Sequence, residues 1–528
     1  MWPLVGVLVM MTSLLASFAH AQQPPLIDRK DFFGEIQISG AQISPDGKWL
    51  SFIQPYKGVR NIWIKKADEP FSAARPISAD AQRPIRTYFW SRDSRFVLYA
   101  QDHAGDENFN IYAINPGAAR DPATGLPPTR ALTDMRKVRA EIYAVPKTKP
   151  DILYIGLNDR DPRYHDLYEL RISTGVRTLI RRNTDQIAGW DFDNAGELRL
   201  AERTTAAGDT EILRMDGDGF TPIYSCSVLE ECGVEGFDAA NAHAYLLTNK
   251  GGLNLIELES LDPKTGAVAK IESDPENRVD LGGVETSEVD YRILFTSYED
   301  ARERRYFRDA AFGRQYAWLQ SQLPGMDVDL GSRTADETLW IVAAHSDVEP
   351  GAVYLWNRPA GTLQLQYRLR EELPRDALSS RQPVSFTSSD GLTIPGYLTL
   401  PKGLPAKDLP LIVLPHGGPW ARDSYGYDPF AQFFANRGYA VLQPNFRGST
   451  GYGKAFLNAG DGQWGRKMQD DLTWGVRALA AKGIVDPKRV GIFGGSYGGY
   501  ATLAGVAFTP HVYAAAVAYV APSNLITL

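Results

Sequence analysis

The chain has 528 residues, enough for two or more domains. Hydrophobic residues make up 44% of it and charged residues 23%, which are ordinary values for a globular protein. The net charge of −7 provides no basic surface for nucleic acid, and beyond the N-terminus no apolar stretch reaches the length of a membrane span.

The first 21 residues have the pattern of a secretory signal peptide. Residues 4–15 are almost all apolar, and Ala19-His20-Ala21 fits the small-x-small pattern of a cleavage site. No Lys or Arg precedes the apolar run, so an uncleaved membrane anchor is the alternative, although the run is short for one. We expect cleavage after Ala21, a mature protein that is secreted or periplasmic, and no stable membrane insertion.

Short alternating strands fill residues 36–357, with little helical periodicity. A turn followed by an apolar strand begins with SPDGKWLSF at 44–52 and recurs as SRDSRFVLY at 91–99. Looser copies begin near residues 145, 192, 237, 289 and 335. A period in the forties with strand-turn-strand content is typical of propeller blades, so the seven starts predict a seven-bladed β-propeller. An array of β-sandwiches with coincidental spacing is the alternative.

Two cysteines, Cys226 and Cys232, lie six positions apart within this region. An exported protein folds in an oxidising compartment, where a local disulfide is stable. We therefore predict a disulfide between them. Two free thiols in neighbouring loops are the alternative, because spacing alone does not fix the separation of the Cα atoms.

A polar segment at 368–382 is interpreted as the bridge between two domains, predicted to span 22–375 and 376–528. A hairpin is predicted over 384–398. Further strands are predicted at 409–414, 439–442, 490–493 and 514–519, with helices at 429–436, 468–481 and 499–507. This alternation predicts a mostly parallel sheet with helices on both faces.

The sequence GGSYG at 494–498 lies between a predicted strand and a predicted helix. Gly-x-Ser-x-Gly in that context is the nucleophile elbow of α/β-hydrolases, so Ser496 is the candidate nucleophile. The backbone N–H of Tyr497 is one candidate donor to an oxyanion, and the loop of His416 and Gly417 is expected to supply the other. No metal-binding motif such as His-Glu-x-x-His occurs, and no cofactor is expected.

Three motifs stand in order along the second domain: HGGP at 416–419, NFRGSTGYG at 445–453 and GGSYGGY at 494–500. A propeller followed by these motifs resembles the prolyl oligopeptidase clan of serine peptidases, and in particular its acylaminoacyl peptidase and dipeptidyl aminopeptidase-like branch. The resemblance covers residues 31–528. It implies hydrolysis of short peptides through an acyl-enzyme on Ser496, with the propeller restricting access to the site.

Four charged residues are also candidates for contact with a substrate. In similar aminopeptidases propeller carboxylates hold the substrate amine, and Glu107, Glu230 and Glu231 are candidates here, with ordinary solvated loop acids as the favoured alternative. Arg447 is expected either to contact substrate or to form a buried ion pair within a structural loop.

The resemblance implies that a triad Asp and His follow the nucleophile, but no Asp or Glu follows Ser496. The only later histidine is His511, which the topology places at the opposite end of the strands. We therefore expect either a fragment of a longer protein or a truncated product, with little activity of its own. The last predicted strand would then be an exposed, aggregation-prone edge.

Two other functions are compatible with the same residues. One is a non-catalytic, peptide-binding propeller with a vestigial hydrolase half. The other is an esterase that uses the same elbow.

Overall fold

Seven antiparallel sheets follow one another along the first two thirds of the chain, in a computed structural model that describes residues 23–527. The predicted signal peptide lies outside the described residues. A short helix, α1 (Arg29–Phe33), precedes the first sheet. The first four blades consist of β1 (Ser39–Ile43), β2 (Trp49–Tyr56), β3 (Val59–Lys66) and β4 (Arg75–Pro76); β5 (Tyr88–Trp90), β6 (Val97–Gln101), β7 (Asn110–Ile114) and β8 (Thr129–Ala131); β9 (Ala140–Ala144), β10 (Ile152–Asp161), β11 (Tyr164–Arg171) and β12 (Arg177–Arg181); and β13 (Ile187–Phe192), β14 (Leu198–Thr204), β15 (Thr210–Asp216) and β16 (Gly219–Cys226).

Of the remaining three blades, the fifth and seventh have four strands each, and the sixth has three strands followed by a helix. They consist of β17 (Cys232–Phe237), β18 (Ala244–Thr248), β19 (Glu257–Leu261) and β20 (Val268–Glu272); β21 (Leu281–Thr286), β22 (Ile293–Glu299), β23 (Glu303–Phe307) and the helix α2 (Ala310–Gln322); and β24 (Asp327–Arg333), β25 (Leu339–His345), β26 (Ala352–Asn357) and β27 (Thr362–Arg368). The seven-bladed propeller predicted from the repeat is confirmed.

Each predicted repeat start forms the turn between the first and second strands of a blade. In blade one the N–H of Gly47 donates to Ser44 O at 2.8 Å, and in blade two the N–H of Ser94 donates to Ser91 O at 2.9 Å. The same i to i+3 bond closes this turn in blades four, five and seven, where the N–H groups of Gly196, Asn241 and Glu337 donate to Asp193 O, Asp238 O and Thr334 O. All seven turns therefore lie on one face of the ring, which leaves the opposite face to contact the second half of the chain.

The ring closes by side-chain packing and not by a shared strand, because every blade is built from consecutive strands. At the seam, Phe52 of blade one packs with Ile341 and Tyr367 of blade seven in one buried cluster. The N–H of Ala41 donates to the hydroxyl of Tyr367 across the same seam at 3.2 Å.

The helix α2 was not predicted, since the region was interpreted as poor in helical periodicity. Asp309 caps the helix by accepting a hydrogen bond from the N–H of Phe312. Phe312, Tyr316 and Leu319 are spaced i, i+4, i+7 and are buried against blade seven. That spacing was the available signal for a helix.

The second half of the chain forms a six-stranded sheet with its helices. Its elements are β28 (Arg381–Thr387), β29 (Thr393–Thr399), β30 (Leu409–Val413), α3 (Pro429–Asn436), β31 (Ala440–Pro444), α4 (Lys454–Asn458), α5 (Lys467–Ala481), β32 (Val485–Gly495), α6 (Tyr497–Phe508) and β33 (Ala515–Tyr519). The strand order is β28-β29-β31-β30-β32-β33. The pairs β28/β29 and β29/β31 are antiparallel, and the remaining pairs are parallel.

Helices cover both faces of this sheet, as predicted. On β31, Leu442 belongs to the cluster packed by α5 and α6, whereas its neighbour Val441 belongs to the cluster packed by α3. Successive residues of a strand point to opposite faces, so the two clusters lie on opposite sides. The strand β33 is at the edge of the sheet, and Val517 is 52% exposed there. Aggregation at this edge stays a prediction.

The N-terminal segment lies against the second half of the chain and not against the propeller strands that follow it. The N–H of Ile27 donates to Asn436 Oδ1 at 2.9 Å, and Asn436 Nδ2 donates to Pro25 O at 3.0 Å. Phe32 is fully buried and meets Phe433 of α3 edge-on at 5.8 Å. The predicted domain boundary at 375/376 stays a prediction, but residues 23–33 lie beside the second domain.

Across residues 23–527 none of the helices combines the length and apolar character that a membrane span requires. The same stretch of the chain contains no cluster of three or more His, Cys, Asp or Glu side chains arranged to hold a metal ion.

Candidate active site

Ser496 stands at a sharp turn between β32 and α6. Its backbone is left-handed, with φ +52° and ψ −126°, a conformation that costs a non-glycine residue about 1–3 kcal/mol. The side chain is exposed at the carboxyl end of the strand, beside the N-terminus of the helix. This is the geometry that a nucleophile elbow requires.

The elbow is possible only because its flanking residues are glycines. A Cβ on Gly494 would lie 2.2 Å from Gly498 O, and a Cβ on Gly498 would lie 2.2 Å from Pro415 O. Both distances are far inside van der Waals contact. The motif thus brings the turn against the end of β30, where the loop with His416 and Gly417 begins.

Gly417 faces the candidate nucleophile, whereas the side chain of His416 does not. A Cβ on Gly417 would lie 3.5 Å from Ser496 Cβ and 4.0 Å from Ser496 Oγ. The His416 ring stacks on Phe446 at 4.3 Å, with Nδ1 2.7 Å from Gly417 O and Nε2 2.9 Å from Ser449 Oγ. Burial lowers the pKa of His416 to about 4, so the ring is neutral and donates from Nδ1 to the carbonyl. His416 therefore shapes the loop that presents Gly417.

Tyr497 combines a free backbone donor with a buried side chain. As the first residue of α6 its N–H has no partner within the helix. The ring is 3% exposed and packs on Phe446 and Trp464, with centroids 5.3 and 4.8 Å away. The side chain thus fixes the start of the helix while its N–H points out beside Ser496.

Arg447 lies in a buried ion-pair network. Its guanidinium donates to Asp390 at 2.7 and 2.9 Å and to Asp471 at 2.8 and 2.9 Å, and Ser388 Oγ donates to Asp471 at 2.5 Å. Hydrogen bonds from Arg447 hold the pKa of Asp390 well below its usual range. Of the two roles expected for Arg447, the geometry matches the structural one.

The loops of this half reach directly to the propeller. Arg422 donates to Glu299 O at 2.7 Å and to Asp300 O at 3.0 Å. Lys454 Nζ donates to Asn249 O at 2.9 Å and to Gly251 O at 2.8 Å. These anchors leave no signal in the sequence, because their partners are backbone carbonyls.

Between these anchors lies an interdomain cavity of about 190 Å³. Glu231, Glu299 and Asp280 line it from the propeller side, with Arg422 and Thr450 opposite. Asp280 already accepts hydrogen bonds from two backbone N–H groups. The Glu231 and Glu299 carboxylates accept none from the described residues. Burial and the neighbouring Asp280 raise the pKa of Glu231, and the Arg422 guanidinium lines the same cavity.

Glu230 and Glu107, the other two candidate carboxylates, do not line this cavity. Glu230 accepts hydrogen bonds from the N–H groups of Gly251 and Ser227, at 2.7 and 3.0 Å. Glu107 is exposed in a loop of blade two. Only Glu231 of the three candidates faces the interdomain cavity with its carboxylate free.

His511 is not brought to the nucleophile. It is exposed between α6 and β33, at the end of the helix opposite Ser496, as the topology predicted. Within residues 23–527 no histidine and no carboxylate is hydrogen-bonded to Ser496 Oγ.

Cys226 and Cys232 form a disulfide with Cα atoms 6.1 Å apart. The bond joins the last strand of blade four to the first strand of blade five. It therefore cross-links two neighbouring blades.

Comparisons with known proteins agree with this architecture. The sequence model of the prolyl oligopeptidase family matches residues 426–528. Dipeptidyl aminopeptidase BIII of Pseudoxanthomonas mexicana is 38% identical over 514 residues, which cover 95% of this chain and 73% of that protein. Dipeptidyl peptidase family member 6 of Caenorhabditis elegans is 30% identical over 540 residues, covering 95% and 72%.

Among solved structures, a puromycin-hydrolysing peptidase of Mycobacterium tuberculosis superimposes with a TM-score of 0.73, covering 96% of this chain and 81% of its own at 18% identity. At that identity the likeness supports the fold alone. The two sequence relatives extend over both halves of the chain and over more than two thirds of their own lengths. The chain therefore belongs to the prolyl oligopeptidase family of serine peptidases.

Proposed function

We propose that the protein is a dipeptidyl aminopeptidase that cleaves short peptides through an acyl-enzyme on Ser496. The observation that carries the proposal is the strained serine at the strand-to-helix turn, facing Gly417 across the end of β30. The dipeptidyl peptidase names of the two sequence relatives support this choice of peptide class.

The chemistry follows from what surrounds the hydroxyl. Ser496 Oγ attacks the peptide carbonyl carbon while its proton passes to a general base. The tetrahedral oxyanion is stabilised by the N–H of Tyr497 and by a backbone N–H of the His416–Gly417 loop, each contributing about 3 kcal/mol. Collapse expels the amine product and leaves an ester on Ser496, which water then hydrolyses.

The base is the group that the described residues do not place at Ser496. A triad serine without its base keeps only the modest rate due to the oxyanion donors and binding. We therefore infer that the 528-residue chain by itself turns substrate over slowly.

The interdomain cavity accounts for the preference for a free N-terminus. A peptide ammonium is attracted to the unpaired carboxylates of Glu231 and Glu299, and the cavity volume suits a small group and not a long chain. The loop that contributes Arg422 to the cavity begins at Gly417, beside the nucleophile. An amine held there limits how far the scissile bond lies from the N-terminus.

The test of the reaction is hydrolysis of a dipeptidyl p-nitroanilide by the protein expressed from its natural gene, compared with Ser496→Ala. We expect the variant to lose about six orders of magnitude in kcat, as other triad serines do. Equal turnover by both proteins would exclude an acyl-enzyme on Ser496. Peptide retention without turnover in both would favour the binding function, and turnover of an ester but not of the anilide would favour an esterase.

The test of the amine site is Glu231→Gln, with Glu107→Gln as the matched control in a solvated loop. Glu231→Gln is expected to raise KM for the free-amine substrate about tenfold, because a charge-assisted contact is lost. N-acetylation of the substrate should cost less in the variant than in the parent protein. An unchanged KM, or an equal change in the control, would contradict the assignment.

Export is proposed on two observations. Residues 1–21 have the pattern of a signal peptide, and Cys226 and Cys232 form a disulfide, which is typical of oxidising compartments. N-terminal sequencing of the native protein tests it, with Gln22 as the expected first residue.

A further inference from the structure

A second interdomain cavity, of about 360 Å³, lies between blade seven and the loop that follows β30. His345 lines it from the propeller, and Arg381, Asp423 and Tyr427 line it from the hydrolase half. Ser496 and Gly417 are not among its lining residues, so the cavity is separate from the site described above.

Arg381 is a buried guanidinium without a carboxylate partner. The residue is 6% exposed, and its guanidinium lies 4.4 Å from the centre of the Tyr397 ring. Nη1 donates to Gly426 O at 3.2 Å. Nε and Nη2 are buried and have no hydrogen-bond partner among the described residues, and none of the Asp or Glu side chains described forms an ion pair with Arg381.

The two unpartnered nitrogens define the ligand chemistry. Nε–H and Nη2–H point in parallel from the same edge of a guanidinium, which is the fork that pairs with the two oxygens of a carboxylate. The hydroxyl of Tyr427 and Nε of Arg422 are also buried without partners, and both residues line the same cavity. Leaving several buried donors unsatisfied is costly, which favours an acceptor at this position.

Asp423 faces the same cavity without filling this role. Its Oδ2 is buried and unpartnered, while Oδ1 accepts from Gln443 Nε2 at 3.3 Å. Burial raises the pKa of Asp423 to about 7 against the opposing effect of the neighbouring Arg381, to which it is not hydrogen-bonded, so at pH 6 the group is largely neutral. The other charged groups at the cavity are Asp428, which caps α3, and His345, which is paired with Asp329 at 3.1 Å.

We propose that this cavity binds a small carboxylate anion, held by the Nε–Nη2 edge of Arg381 and by the hydroxyl of Tyr427. Both groups that hold the anion belong to the hydrolase half, and His345 and Pro350 of blade seven also line the cavity.

The experiment is calorimetric titration of the full chain at pH 6 with sodium acetate as the probe and acetamide as its uncharged counterpart. We expect acetate to bind with millimolar affinity and acetamide not to bind. Arg381→Gln should weaken acetate binding at least about tenfold, since a bidentate charged contact is lost. Arg333→Gln is the matched control: it lines a different cavity and is already paired with Glu285, so its affinity for acetate should equal that of the parent protein.

Equal acetate affinity in the parent protein and Arg381→Gln would overturn the proposal, as would no binding up to about 100 mM acetate. Tyr427→Phe removes one hydroxyl and keeps the result decisive if Arg381→Gln does not fold. It should weaken binding several-fold, and an unchanged affinity would count against the site.

Discussion

The propeller and the hydrolase half differ in how far their structure depends on single residues. The propeller repeats one local unit seven times, and every sheet pairs strands that are neighbours in sequence. In the hydrolase half β31 lies between β29 and β30, and the site is assembled from loops near residues 416, 447 and 496. In the first region no single residue decides the fold, whereas in the second a few close approaches decide whether the site exists.

The sharpest way to break this comparison is a methyl group at the elbow. In Gly498→Ala the added Cβ would lie 2.2 Å from Pro415 O, so the elbow must open. We expect peptidase activity to fall at least about 100-fold, because a shift of about 1 Å at a reacting group costs that much. The control is Gly252→Ala in the propeller, where a Cβ meets nothing within 4 Å and activity should be unchanged. Full activity of Gly498→Ala would show that the elbow is not the site.

Both halves contain buried aspartates paired with arginine, and breaking one such pair in each half tests whether the halves unfold independently. Arg447→Gln leaves Asp471 buried without its cation, and Arg304→Gln does the same to Asp274 in the propeller. Each should lower the free energy of unfolding of its own half by about 3–5 kcal/mol. Urea unfolding followed by limited proteolysis should show the loss in different fragments. A loss in the same fragment from both variants would mean that the halves unfold as one unit.

A third effect, that of pH on stability, is expected to be the same in both halves. Asp423 in the hydrolase half and Asp191 in the propeller each have a buried, unpartnered carboxyl oxygen, and burial raises both pKa values to about 7. An unfolded Asp ionises near pH 4, so the folded state is penalised increasingly between about pH 4 and 7. Asp423→Asn and Asp191→Asn should each stabilise the protein by about 4 kcal/mol at pH 8 and by less at pH 5. Equal effects at the two pH values would place both carboxyls in water.

Much of the fold could be predicted because its signals are local. The turn at Ser44 and its six copies recur at near-constant spacing, and GGSYG has a meaning that depends only on the strand and helix beside it. The helix α2 was missed because its apolar spacing lies within a strand-rich repeat. Arg381, Arg422 and Asp423 gave no signal, since what distinguishes them is burial beside a surface formed by residues far away in sequence.

The candidate site could likewise be predicted only in part. Ser496 and Gly417 were predicted from motifs, and the structure places them together. The predicted roles of the two oxyanion donors, and the expected inactivity of the chain, stay predictions. Arg447 could not be assigned from sequence, because its role depends on Asp390 and Asp471 reaching it from two other segments.

The docking of the N-terminal segment on α3 sets an order for synthesis on the ribosome. Ile27 and Asn436 are 409 positions apart, so the first of them waits roughly 20–80 s for the second at ordinary rates of translation. During that interval all seven blades are made, while Phe32 still lacks the aromatic surface that buries it. The propeller is thus an insertion within a half whose sequence begins before it, and the hydrolase half completes its folding after the propeller has been made.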